Sequence, residues 1–104
     1  MGWWDDFVGP NKILDTNKFF IVSANNIGSC FGSSGPISLD KNGKRYNADF
    51  PEISVKDWVQ AQKLLADKLK IQTWKLVVGG SLGGMQALQW AIDFPDMVEK
   101  VAII

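Results

Sequence analysis

The chain has 104 residues, 46% of them hydrophobic and 21% charged, a composition that fits one small globular domain and excludes a disordered or fibrous protein. Eleven basic and eleven acidic side chains give a net charge of zero, so no long-range field would collect nucleic acid or an anionic membrane. There is no histidine and one cysteine, Cys30, which excludes a Cys/His metal cluster, a disulfide framework and a complete Ser-His-Asp triad within these residues.

The first predicted element is a buried strand at 19–24, an apolar and β-rich run between polar residues. A segment rich in Gly, Ser and Asn follows at 25–36, which predicts an irregular loop with several positions free to adopt positive φ. Asn42-Gly43 then marks a solvent-facing turn or a small hairpin.

A helix is predicted to begin after Ser54 and to run to about Leu69. Ser54 can cap a free backbone amide, and Asp57 places negative charge in the first turn, where the helix dipole favours it. The apolar residues of this segment recur at helical spacing and predict one buried stripe. They are Val55, Trp58, Val59, Leu65, Ala66 and Leu69.

The C-terminal half alternates strand and helix. A buried strand is predicted at 74–78, a glycine-rich turn at 79–84, a helix from Met85 to Phe94 and a further strand at 101–104. This alternation is typical of an α/β fold with a parallel sheet, which needs helices on both faces. Because 104 residues supply too few helices, we expect a fragment of a single larger α/β domain, 1–104, that is truncated at both ends.

Three functions compete for the glycine-rich turn. A dinucleotide-binding G-x-G-x-x-G fails because Ser81 occupies its third position, and a phosphate-binding P-loop fails because Met85 follows Gly84. The pattern G-x-S-x-G fits at Gly79, Ser81 and Gly83, with a strand before it and a helix after it. The turn is therefore predicted to be a nucleophile elbow, the alternative being a tight strand-to-helix turn whose serine is only small and polar.

The elbow explains these residue types physically. The turn is expected to close only if the positions of Gly79 and Gly83 carry no side chain. Ser81 is the predicted nucleophile. The Leu82 backbone amide is the expected first donor to an oxyanion, because it opens the helix. Serine needs a base, and no histidine is present; Asp93 and Asp96 follow Ser81 but are interpreted as surface charges.

Two other reactive or aromatic features are left out of the predicted site. Cys30, a lone thiol without histidine, is interpreted as packed or incidental. Trp3 and Trp4 are interpreted as packing residues in preference to pocket-lining ones. We expect no metal site, and no residue is assigned to cofactor binding.

Five stretches of the chain together resemble the homoserine O-acyltransferases of methionine biosynthesis, over nearly its whole length. The elbow with Met85, Gln86, Ala87 and Trp90 after it is far more specific than G-x-S-x-G alone. The five stretches are 2–5 (GWWD), 15–20 (DTNKFF), 28–36 (GSCFGSSGP), 49–51 (DFP) and 79–90 (GGSLGGMQALQW).

The resemblance implies a partial α/β-hydrolase fold whose helical lid domain is absent here, and a homodimer as the full-length protein. It implies acyl transfer from acyl-CoA, acting as a co-substrate without a further cofactor, to the hydroxyl of L-homoserine through an acyl-enzyme on Ser81. The acetyl and succinyl donors are both left open. The family's catalytic aspartate and histidine and its carboxylate-binding arginine fall outside these residues, so the isolated chain is expected to be inactive.

Two alternatives from other classes are kept. One is a serine esterase with the same elbow, in which water accepts the acyl group; the other is a non-catalytic module or a gene remnant. No apolar run reaches the roughly 18 residues of a membrane span, and the N-terminus lacks a basic secretory region. We therefore expect a cytoplasmic protein with neither nucleic acid nor membrane as a partner.

Overall fold

A computed structural model of the chain describes residues 2–104. Two short parallel strand pairs and two helices follow one another along it. In chain order they are β1 (Val8–Gly9), β2 (Leu14–Asp15), α1 (Val55–Lys68), β3 (Val77–Gly79), α2 (Leu82–Asp93) and β4 (Val101–Ile103). Single 3-10 turns lie at Asn47–Asp49 and Pro95–Met97.

The β3-α2-β4 unit is the part of the fold that carries the predicted elbow. β3 and β4 are parallel, with Val77 opposite Val101 and Gly79 opposite Ile103, and α2 packs on both. An isolated bridge between Trp74 and Val98 extends the pairing by one contact. The predicted α/β architecture with a parallel sheet is confirmed, although β3 is shorter than the strand predicted at 74–78.

Helix α1 begins where its capping residues predict. The Ser54 hydroxyl accepts the Asp57 backbone N–H at 3.2 Å, and the Ser54 backbone N–H donates to the Asp57 carboxylate at 2.8 Å, which together form a capping box. Because the Ser54 hydroxyl also donates to the same carboxylate, the pKa of Asp57 is held below its ordinary value. The helix ends at Lys68, one residue short of the predicted end.

The core lies between α1 and α2. Val59 and Ala66 of α1 are fully buried, and Trp90 of α2 is buried among them. Trp74 meets Trp90 edge-on, with ring centroids 6.2 Å apart, an arrangement that the ring quadrupoles favour. The predicted stripe of α1 is thus half confirmed, because its Leu65 and Leu69 remain substantially exposed.

A buried polar chain also joins the two helices. The Gln62 amide of α1 donates to the Gln86 side-chain oxygen at 2.6 Å, and the Trp90 indole N–H donates to the Gln62 oxygen at 2.7 Å. Gln86 is buried and lies one turn after the start of α2. Since unpaired buried amides are costly, these bonds fix how α2 sits on α1.

The strand predicted at 19–24 does not form. The segment is extended, but no backbone hydrogen bond of residues 20–27 to another strand occurs within 2–104, and Phe20 is 74% exposed. A strand is stable only when a neighbouring strand pairs with it, and no strand among the described residues pairs with this run. The prediction is wrong for the described chain because apolar content alone does not supply a partner.

Two turns surround that extended segment. Before it, the buried Asp15 carboxylate accepts the backbone N–H groups of Asn11 and Asn17, which closes the β1-β2 turn that the sequence patterns did not predict. After it, Gly28 and Gly32 adopt positive φ in the predicted irregular loop. The Asn42-Gly43 turn is confirmed by the antiparallel bridge of Leu39 with Arg45.

No helix among residues 2–104 has the length and apolarity that crossing a bilayer requires.

Candidate active site

Ser81 occupies the sharp turn between β3 and α2. Its backbone has φ 54° and ψ −120°, outside both the helical and the extended regions that L-residues normally occupy. A residue stays in such a conformation, at a cost of about 1–3 kcal/mol, only when its surroundings impose it. Strain at this serine is the geometry that a nucleophile elbow requires.

Backbone hydrogen bonds to the end of the chain impose this conformation. The Ser81 N–H donates to the Ile104 carbonyl at 2.7 Å, and the Ile104 N–H donates to the Gly79 carbonyl at 3.0 Å. The Ser81 carbonyl in turn accepts the N–H groups of Gly84 and Met85, and these bonds form the first turn of α2. The residue is exposed, and its hydroxyl forms no hydrogen bond within 2–104, so the side chain is available to an external group.

The glycines around Ser81 differ in how much room the structure leaves for a side chain at their positions. A Cβ at Gly79 would lie 2.0 Å from the Gly83 carbonyl oxygen, and a Cβ at Gly84 would lie 3.1 Å from Ile103. A Cβ at Gly83 would meet nothing within 4 Å. The expectation that Gly83 must lack a side chain is therefore wrong within the described residues, because a Cβ there would point into open space.

The amide predicted to stabilise an oxyanion is free. Leu82 is the first residue of α2, and its backbone N–H donates no hydrogen bond within residues 2–104. The positive end of the helix dipole lies at the same place and also attracts negative charge. An anionic oxygen near the Ser81 hydroxyl would thus meet an unpaired N–H in a favourable field.

The acidic residues that follow Ser81 are not placed to activate it. Twelve residues of helical rise put Asp93 about 18 Å from Ser81, and Asp96 lies beyond it and is exposed. Asp93 is half-buried, with one carboxylate oxygen that has no hydrogen-bond partner in 2–104, so its interpretation as a surface charge is wrong.

Cys30 is free and exposed, not packed. No metal-binding cluster of His, Cys, Asp and Glu occurs among the described residues.

An open cleft of about 900 Å³ adjoins the elbow. One wall is the elbow backbone on both sides of Ser81, and another is the unpaired extended segment with the N-terminal aromatic residues. Six of the lining residues are Trp3, Trp4, Phe20, Gly80, Leu82 and Gly83. Trp3 is 73% exposed, so its interpretation as a packing residue is wrong within this chain. The only signal in the sequence was the placement of two tryptophans beside acidic residues.

Comparison with known proteins agrees with this geometry. The sequence profile of the alpha/beta hydrolase fold family matches residues 2–104. The homoserine O-succinyltransferase of Hahella chejuensis is 57% identical over 104 residues, which are 99% of this chain and 27% of that protein. The chain spans about a quarter of the length of the curated relatives it matches.

Solved structures of two activities resemble the chain. A homoserine O-acetyltransferase from Bacillus anthracis superimposes with a TM-score of 0.91 at 36% identity, over 96% of this chain and 29% of that one. An acetylester hydrolase from Corynebacterium glutamicum superimposes with a TM-score of 0.83 at 35% identity, over 97% and 29%. The resemblance and the fold class inferred from the sequence are confirmed by these matches.

Proposed function

We propose that this chain, which belongs to the α/β-hydrolase fold family, is the nucleophile-bearing part of an acyltransferase. The enzyme transfers an acyl group from acyl-CoA to the hydroxyl of L-homoserine, a step in methionine biosynthesis. The observation that carries the proposal is the strained, exposed Ser81 between β3 and α2. The names of the relatives supply the substrate class.

The first half-reaction forms an acyl-enzyme. The Ser81 Oγ attacks the thioester carbonyl carbon and gives its proton to a base, and the carbonyl oxygen becomes an oxyanion that the Leu82 N–H stabilises. The carbon–sulfur bond then breaks, and coenzyme A leaves as a thiol after taking up a proton. Because the chain holds no histidine, we propose that the base and its carboxylate partner come from outside these 104 residues.

The second half-reaction regenerates the serine. The homoserine hydroxyl loses its proton to the base and attacks the acyl carbon, the Ser81 Oγ is released and recovers a proton, and the ester product leaves. Ping-pong turnover follows from this order of events. Neither half-reaction needs a cofactor, since acyl-CoA acts as a co-substrate.

We propose succinyl-CoA as the acyl donor. Curated relatives that are 54–58% identical to the chain are named homoserine O-succinyltransferases. The similar acetyltransferase structure is 36% identical. Greater identity to the succinyl-transferring relatives supports the larger acyl group.

The second candidate is a serine ester hydrolase. It is favoured by the acetylester hydrolase, whose similarity to this chain is nearly as great as that of the acetyltransferase. The two activities share the elbow and differ only in whether water or an alcohol attacks the acyl-enzyme.

The test is an intact-mass measurement on the full-length protein, mixed briefly with succinyl-CoA or acetyl-CoA and no acceptor. We expect a succinyl adduct that peptide mapping places on Ser81 and that homoserine removes. Ser81→Ala is the control and should carry no adduct. A folded wild-type protein without an adduct from either donor would overturn the proposal, and an adduct that water removes as fast as homoserine does would favour the hydrolase.

A further inference from the structure

Trp3 lies directly against the backbone of the elbow. A Cβ at Gly80 would be 2.4 Å from two carbons of its six-membered ring, so the ring rests on the residue that precedes Ser81. The side chain is nevertheless 73% exposed and lines the cleft beside the elbow. A large apolar ring held open to a cleft is typical of a surface that contacts a ligand.

The N-terminal turn holds this ring in place. The Asp5 N–H donates to the Gly2 carbonyl at 3.1 Å, and the Gly2 N–H donates to the Asp5 carboxylate at 2.8 Å, so a closed turn carries Trp3. Trp4 meets the Trp3 ring edge-on at a centroid distance of 5.5 Å. The ring is therefore held by its own turn and by the contact of its edge with Gly80, and the residue lines the cleft.

We infer that Trp3 is a specificity-determining residue that sets the ratio of acyl transfer to hydrolysis on Ser81. The inference rests on the proposed function. Transfer and hydrolysis both break the bond between the acyl carbon and the Ser81 Oγ, and they differ in the oxygen that attacks. An apolar ring against Gly80, the residue before Ser81, disfavours an ordered water next to the elbow, whereas an alcohol held by its own binding groups still reaches the acyl carbon.

The experiment uses the full-length protein and measures two quantities for each variant. The first is the rate at which succinyl-CoA acylates Ser81, and the second is the lifetime of the acyl-enzyme without and with homoserine. For Trp3→Leu we expect an acylation rate within about threefold of wild type, a lifetime without homoserine about tenfold shorter, and a lower yield of ester per acyl-CoA consumed. The lifetime of the Trp3→Phe acyl-enzyme without homoserine should lie between those of wild type and Trp3→Leu.

Phe31→Leu is the matched control. Phe31 is also 73% exposed, but it does not line the cleft, so its replacement should leave the acyl-enzyme lifetime unchanged. Equal lifetimes in wild type and in a folded Trp3→Leu would overturn the role of Trp3 and leave the proposed function intact. If Trp3→Leu does not fold, Trp3→Phe decides, with unchanged lifetime counting against the inference. A wild-type protein that is never acylated would overturn both proposals.

Discussion

Adding one methyl group to each of two elbow glycines should have effects of opposite sign. At Gly79 the new Cβ would lie 2.0 Å from the carbonyl oxygen and 2.2 Å from the carbonyl carbon of Gly83. Both atoms belong to the backbone, so no side-chain rotation relieves the clash. At Gly83 the new Cβ would point into open space.

The magnitudes follow from what must move. Opening the turn by more than 1 Å strains or breaks the hydrogen bonds that join Gly79 and Ser81 to Ile104. Two lost bonds at about 1 kcal/mol each, with about 1–3 kcal/mol of overpacking, make Gly79→Ala about 3–5 kcal/mol less stable. Gly83 lies in the first turn of α2, where alanine is favoured over glycine, so Gly83→Ala should be more stable by about 0.5 kcal/mol.

Urea unfolding of the full-length protein, with acylation of Ser81 as a second readout, measures both effects. Gly79→Ala should unfold at a lower urea concentration and lose acylation, and Gly83→Ala should keep both. A Gly79→Ala protein as stable as wild type would refute the closed turn. Equal losses in the two variants would refute the assignment of the tight contact to Gly79.

Three further outcomes are expected. Ser81→Gly relieves backbone strain that Ser81→Ala retains, so the glycine variant should unfold with a free energy about 1 kcal/mol higher, and equal values would remove the strain argument. Gln62→Leu leaves the buried groups of Gln86 and Trp90 unpaired and should cost about 2 kcal/mol, whereas replacing the exposed Gln60 should cost little. The lowered pKa of Asp57 means that its contribution to stability is present above its ordinary pKa of 3.8 and is lost as the pH falls through the lower folded value. The stability difference between wild type and Asp57→Ala should therefore shrink from pH 7 to pH 3, and a constant difference would exclude the carboxylate as its source.

Features that depend on neighbouring residues along the chain could be predicted from sequence. The start of α1 follows from Ser54 and Asp57, whose side chains and amides satisfy one another within one turn. The elbow follows from Ser81 between two glycines, since strand, turn and helix are adjacent in the chain. The parallel pairing of β3 with β4 follows from the helix that connects them.

Features that depend on contacts between distant segments could not be predicted. The apolar run at 19–24 has the composition of a strand, but pairing depends on a neighbour that its composition does not identify. The pattern G-x-S-x-G treats Gly79 and Gly83 alike, although only the first touches the opposite backbone. The position of Trp3 against Gly80 joins residues far apart in the chain, and no periodicity encodes it.

The unpaired segment at 19–24 bears on how the 104-residue polypeptide behaves at the bench. Phe19 and Phe20 are exposed, and apart from the Phe19 N–H the backbone donors and acceptors of the segment are unpaired within residues 2–104, so a second molecule can use them. With zero net charge and a pI near 6.1, like-charge repulsion between molecules is weak near neutral pH. Precipitation should therefore be greatest close to pH 6 and should rise with concentration, so purification belongs at alkaline pH, where the molecules repel one another.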